Sequence, residues 1–210
     1  MVSTTTLLAF SGVALGMAVT PGPNMMYLAS RSISQGRAAG LVSLGGVAVG
    51  FVVYLVLTAF GITAIAMAVP LAYDALRLVG AAYLAYLAWQ ALRPGARSPF
   101  EVRDLPPDSR RRLFAMGLFT NLLNPKAAAL YLSLLPQFIE PGQGSVFAQS
   151  LQLGAAQIAV SMLVNATVIC TAGALAAFVA TRPTWSRVQR RLMGAVLGGL
   201  AVRMVLDTRR

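Results

Sequence analysis

Residues 38–68 and 146–181 each form an apolar run with no charged side chain. Both are longer than the ~20 residues a helix needs to cross a bilayer. Similar patterning elsewhere predicts six helical segments, at about 5–34, 38–68, 71–92, 113–139, 146–181 and 185–206. The fourth segment is followed closely by the fifth, and the only long polar stretch is "RPGARSPFEVRDLPPDSRRR" at 93–112. It is rich in proline and in both signs of charge, and reads as a linker. The chain therefore divides into a first three-helix unit at 1–92, the linker at 93–112, and a second three-helix unit at 113–210.

The two units share a pattern. Each opens on a segment interrupted by proline, "TPGPN" at 20–24 and "NLLNPK" at 121–126. Each continues with a long uncharged run, and each contains a similar phrase, "RLVGAAYLA" at 77–85 and "RLMGAVLGGLA" at 191–201. An internal duplication follows. Three crossings per unit is an odd number, so the second copy must enter the bilayer from the opposite side. The expected fold is an all-α integral membrane protein: six transmembrane helices arranged as two inverted three-helix repeats, the first helix of each repeat broken at proline.

Composition agrees with the pattern. Of 210 residues, 57% are hydrophobic and 11% charged, where a soluble domain carries about 25% charged. The formal charge of +11 does not point to nucleic acid, because the basic residues lie between apolar segments rather than in a stripe. With the N-terminus outside, twelve arginines fall in cytoplasmic connections and four on the outer side. The positive-inside rule thus predicts both termini outside, with Trp89 and Trp185 at the inner interface. No Lys or Arg precedes Arg31, so the apolar N-terminus lacks the positive start of a secretory signal and is expected to be retained. Cys170, the single cysteine, has no disulfide partner within the chain and reads as a small buried hydrophobe.

The breaks carry the candidate chemistry. Proline inside a helix frees the carbonyl four residues back, here those of Met17, Val19 and Asn121. Unpaired backbone is tolerated in a membrane only against protein or a wet cavity. Polar residues gather at both breaks: Thr20, Pro21, Gly22, Pro23 and Asn24 in one, Asn121, Asn124, Pro125 and Lys126 in the other. New half-helices are expected to begin at Asn24 and Lys126, aiming their positive ends at a shared site. Such a site suits a small zwitterion: amides and Lys126 for its anionic group, freed carbonyls for its cationic one. Lys126 is the only lysine, and its charge at mid-depth favours an inward orientation. No Asp or Glu lies deep in any segment, which makes Lys126 the candidate for proton coupling. Gln152, Gln157, Ser161 and Asn165 fall roughly on one face of the fifth segment. They suit either a pathway lining, with Asn165 the candidate binding residue, or interhelical hydrogen bonds. The pairs Gly12/Gly16 and Gly46/Gly50 suit close helix packing, within the chain or in a homodimer.

The stretches "TPGPNMMYLASRSISQGRAAGLVSLGGVAVG" and "NLLNPKAAALYLSLLPQF" resemble the LysE family of amino-acid exporters, in particular its homoserine/threonine exporter branch. The six-segment layout is similar along nearly the whole chain. Matching motif positions are Pro21, Gly22, Pro23, Asn24, Asn124, Pro125, Lys126, Pro136, Gln137 and Phe138. The resemblance implies efflux of amino acids or close derivatives across the bacterial inner membrane, driven by an ion gradient and needing no cofactor. In one respect the chain departs: many members carry an acid just after the Gly-x-x-x-Gly of the second segment, where this chain has Phe51. That argues for a neutral amino acid over a dibasic one. Metal efflux fits poorly with one cysteine and no histidine. A thiol carrier or serine hydrolase lacks its partner residues, and a non-catalytic scaffold has no need of matched breaks.

Overall fold

The computed structural model describes residues 2–68 and 107–180, with scattered helical positions between 78 and 89 and between 191 and 202. The predicted segments 71–92 and 185–206, and the linker up to residue 106, otherwise lie outside the described residues. Among the described residues every regular element is helical. In chain order these are α1 (Thr4–Val19), α2 (Pro23–Gln35), α3 (Arg37–Ala68), α4 (Arg110–Leu122), α5 (Pro125–Ala129) and α6 (Val146–Ala180). Between α5 and α6 the chain passes through a π-helical turn, Leu130–Leu134, and 3₁₀ turns at Leu135–Phe138 and Pro141–Gln143.

Both predicted breaks are present. Thr20 precedes Pro21 and takes an extended conformation (ψ 119°), which ends α1. Its hydroxyl and amide both donate to the Gly16 carbonyl, at 2.6 and 3.2 Å. Chain direction then changes by 53° into α2. At the second break Asn124, also before a proline, is extended (ψ 107°) and its side chain accepts from the Lys126 amide at 3.0 Å. The new helices begin at Pro23 and Pro125, one residue before the expected Asn24 and Lys126. The reason is that proline at the first helical position forgoes an amide that has no intrahelical acceptor anyway. One carbonyl expected to be free is not: the Asn124 amide donates to Asn121 O at 2.9 Å.

Two helices are long and apolar enough to cross a membrane by themselves, α3 through Arg37–Gly61 (mean hydropathy 2.3) and α6 through Val146–Ala174 (1.8). The bent α1–α2 pair qualifies as a third, broken span. Large apolar side chains face outward along them, including Leu8, Leu57, Phe60 and Leu163, as a hydrocarbon environment permits. Cys170 is exposed rather than buried. An apolar run does not specify burial here, because helix faces turned to lipid are apolar too. Trp89 is also exposed, with the Tyr86 ring 6.1 Å away.

The core lies where α2 and the residues after the second break pack between α3 and α6, and contains Phe10, Met17, Leu28, Val47, Tyr131 and Leu153. Close approach of α3 and α4 depends on glycine. A Cβ on Gly46 would collide with the Phe114 carbonyl, and one on Gly117 with the Ser43 carbonyl. A Cβ on Gly50 would meet the Asn121 amide at 2.7 Å. The Gly46/Gly50 pair is thus consumed by packing within the chain. Gly36 turns α2 into α3 at φ 87°, a left-handed conformation that favours glycine.

The α2–α4 contact is closed by charge. Asp108 accepts from Arg31, from Gln35 Nε2 at 3.0 Å and from Arg112 Nε at 3.1 Å. Its own amide donates to Gln35 Oε1 at 3.0 Å. The Gln35 hydrogen bond, together with the Arg31 and Arg112 charges, holds the Asp108 carboxyl below the usual carboxylate range against the opposing effect of burial.

Substituting Gly46→Val forces two backbones apart with no flexible neighbour to yield, so little monodisperse protein should survive size-exclusion chromatography in detergent. Because folding lowers the Asp108 pKa, its stabilisation is present above the unfolded value and is lost as pH falls through the folded one. Wild type should therefore melt above Asp108→Asn at pH 7, with the two melting temperatures converging as the pH falls below about 3.

Candidate functional site

Lys126 connects the two breaks. From the second position of α5 its ammonium donates to Met17 O at 2.8 Å and to Thr20 O at 2.6 Å. These carbonyls belong to the last turn of α1, the negative end of its dipole, where a cation is favoured. The Met17 carbonyl is one of those that Pro21 frees. A lysine 109 residues from Met17 in sequence thus caps a helix the prolines left open. Gly22 makes room for it: a Cβ there would stand 3.1 Å from Nζ and 3.2 Å from Cε.

Helix α5 is capped by Asn124, whereas α2 has only Gly22 at its N-cap and no side chain closes its first amides. The two positive ends are therefore unequal, and the one on α2 is left open to an anionic group.

Beside Lys126 lies a cavity of about 30 Å³, lined from α1 by Met17 and Ala18, from α2 by Asn24 and Met25, and from α3 by Phe51. Asn124, Ala127 and Leu130 close it from the second break, and Gln157, Ser161 and Asn165 from α6. At ~10–15 Å³ for each enclosed water, it holds about two water molecules. Its polar lining is organised by a chain of hydrogen bonds. Tyr131 donates to Gln157 Oε1, Gln157 Nε2 to Ser161 Oγ at 2.7 Å, and Asn165 Nδ2 to Ser161 O at 2.8 Å. Tyr131 is held in turn by stacking on Tyr54, ring centroids 5.7 Å apart, whose hydroxyl donates to Leu122 O at 2.8 Å. Asn24 Oδ1 and Asn165 Oδ1 are buried and accept nothing. Each such orphan costs about 1–3 kcal/mol.

The structure thus gathers Asn24, Asn124, Lys126 and Asn165 around one cavity, with Gly22 beside the lysine and Pro21 and Pro23 shaping the break. Pro125 only starts α5. Asn121 is fully buried but stands away from the cavity, against Gly50, with both amide atoms unpartnered. Of the polar row on α6, Gln157, Ser161 and Asn165 reach the cavity, while Gln152 accepts from the Val2 amide at 3.0 Å. Pro136, Gln137 and Phe138 serve the wall behind it. Gln137 Nε2 donates to Ser133 O at 2.8 Å and Phe138 meets Phe10 edge-on at 5.1 Å. The Thr20 carbonyl, Met25 and the Tyr131 wall were missed by sequence reasoning. Phe51 was noticed only as a departure, though its replacement of a polar residue beside Gly50 was itself the signal. Among the described residues no carboxylate pairs with Lys126, and no three metal-ligating side chains cluster.

Among the described residues the chain is helical, with apolar spans and a cavity between two helix breaks, an arrangement that suits a membrane transporter. Residues 15–208 match the LysE type translocator family, and the chain belongs to it; it is an efflux transporter. It is 33% identical over 164 residues to the homoserine/homoserine lactone efflux protein of Salmonella typhimurium, covering 78% of each chain. The protein of that name from Salmonella typhi is 32% identical over the same shares. An uncharacterized membrane protein of Pseudomonas aeruginosa is 29% identical across 90% of this chain and 89% of its own. No solved structure matches the chain.

Gly22→Ala should fold, since Gly22 is extended and unstrained, yet displace the Lys126 ammonium by a few tenths of an ångström. The expected result is a several-fold loss of flux in reconstituted vesicles with an unchanged elution profile. Gly12→Ala, where a Cβ meets nothing within 4 Å, should match wild type in both.

Proposed function

We propose that this transporter exports neutral amino acids or their close derivatives across the bacterial inner membrane, coupled to protons, with both termini outside and the two units related as inverted repeats. The observation that carries this reading is Lys126, an ammonium bound only by backbone carbonyls beside a cavity lined by uncharged amides and Phe51. A zwitterion matches that lining. Its carboxylate meets Lys126 and the uncapped end of α2, and its side chain meets Phe51 and Leu130 rather than a counter-charge. A dibasic solute would bring a second cation with nothing to receive it. The Salmonella relatives, named for homoserine and its lactone, support a small uncharged side chain.

Proton coupling is assigned to Lys126 because, among the described residues, it is the only titratable side chain lining the cavity. Loss of its proton removes the charge from its bonds to the carbonyls of Met17 and Thr20 and so weakens them, which loosens one repeat from the other at the step where the solute must pass.

Counterflow of labelled neutral amino acids into proteoliposomes tests this directly. Lys126→Ala should reduce exchange of the preferred solute at least about tenfold, equivalent to ~1.4 kcal/mol. Residual flux in Lys126→Gln should lose its dependence on pH. Full flux with an unchanged pH profile in Lys126→Gln would remove the lysine from the coupling.

A further inference from the structure

We infer that Asn24 and Asn165 form an amine subsite: their side-chain oxygens together receive the ammonium of the transported solute. The inference rests on the carrier reading above and adds what that reading leaves open, which is how the solute is oriented and which group it must carry.

Both residues are more than nine-tenths buried, and both line the same cavity from different repeats, Asn24 from α2 and Asn165 from α6. In each, Oδ1 is buried and accepts no hydrogen bond. For Asn165 the amide orientation is fixed, because Nδ2 is engaged with Ser161 O at 2.8 Å, which leaves Oδ1 without a donor on a residue that lines the cavity. Acceptors without donors, in a space of about 30 Å³, call for a ligand rich in N–H donors. A primary ammonium offers three, where a hydroxyl offers one. The strongest donor lining the cavity, the Lys126 ammonium, is engaged at the end of α1, and Gln157 Nε2 on Ser161 Oγ, so neither serves these two oxygens.

Lys126 and this pair thus divide the work. The lysine and the open end of α2 are suited to a carboxylate, and the paired oxygens to an amine. A solute with the amine but no carboxylate, such as an amino lactone, still engages the pair. A 2-hydroxy acid keeps the carboxylate and loses the ammonium. The subsite therefore makes the amine the obligatory group and the carboxylate the dispensable one.

The test is competition in the counterflow assay, using matched pairs that differ only at the amine: homoserine lactone against its 2-hydroxy counterpart, and threonine against 2,3-dihydroxybutyrate. Wild type should prefer the amine in each pair by about 10-fold to 100-fold, the range expected for hydrogen bonds to a charged group. Asn165→Leu should bring that preference to within about threefold. Asn165→Asp, which keeps the acceptor oxygens, should retain it and so separate recognition from packing. A preference undiminished in both Asn24→Ala and Asn165→Leu overturns the subsite while the carrier stands. Exchange of the hydroxy acids in wild type without exchange of their amino counterparts does the same. Absence of exchange for every compound overturns the carrier reading and the subsite with it.

Discussion

The bond from the Lys126 ammonium to the end of α1 is the contact on which the site depends. Two prolines stop α1 with its last carbonyls bare, a state that a bilayer interior penalises by several kcal/mol for each group. A charged lysine in the same region is penalised as well. Each cancels the other's cost, because a helix C-terminus is where a cation is favoured. Neither feature is tolerable alone, so the break in the first unit and the lysine after the break in the second belong to one device. Its geometry then fixes the rest: Gly22 must lack a side chain, and Asn124 must cap α5 so that Lys126 leaves the helix in the right direction.

Asymmetry between the two units follows from what comes after each break. In the first, Pro23 opens a regular helix that continues to Gln35. In the second, regular α-helix lasts only from Pro125 to Ala129 before it widens. Pro136 has no amide to give the Leu132 carbonyl, and its ring would crowd that turn. The chain accommodates it through a π turn, in which the Leu135 amide reaches Leu130 O, and then a 3₁₀ turn. Irregular turns of this kind often mark functional sites. Here the π turn carries Tyr131 into the stack with Tyr54 and onto Gln157, so the distortion sets one wall of the cavity.

Much of this was legible in the sequence. Charge-free runs marked the starts of α3 and α6 to within a residue, since few other arrangements can hold thirty apolar residues. X-Pro steps gave both breaks. The spacing of Gln157, Ser161 and Asn165 placed them on a common face, and all three line the cavity; their bonds to each other lie within α6, and only Gln157, through Tyr131, reaches another element. What escaped was whatever depends on partners distant in sequence. Nothing local distinguishes Asn121, which packs on Gly50, from Asn124, which caps a helix. Nothing local shows Gln152 turning to the N-terminal amide, or Cys170 facing outward. An apolar alphabet shared by core and lipid-facing surface removes the cue that separates inside from outside in a soluble protein.

The size of the cavity carries the argument one step further. At about 30 Å³ it has space for about two waters, less than an amino acid occupies. Three of the elements that line it meet at Lys126: the end of α1, the start of α2 and the residues after the second break. Admitting a solute means parting them, which breaks the bonds to Met17 and Thr20 and would strand the ammonium. On the proposed reading a solute carboxylate meets that ammonium as it is released, and an amine meets the oxygens of Asn24 and Asn165 as the cavity widens. The solute then restores the pairings that opening removes. On that reading the site opens readily with its cargo and poorly without it, the behaviour that keeps a coupled exporter from leaking its driving gradient.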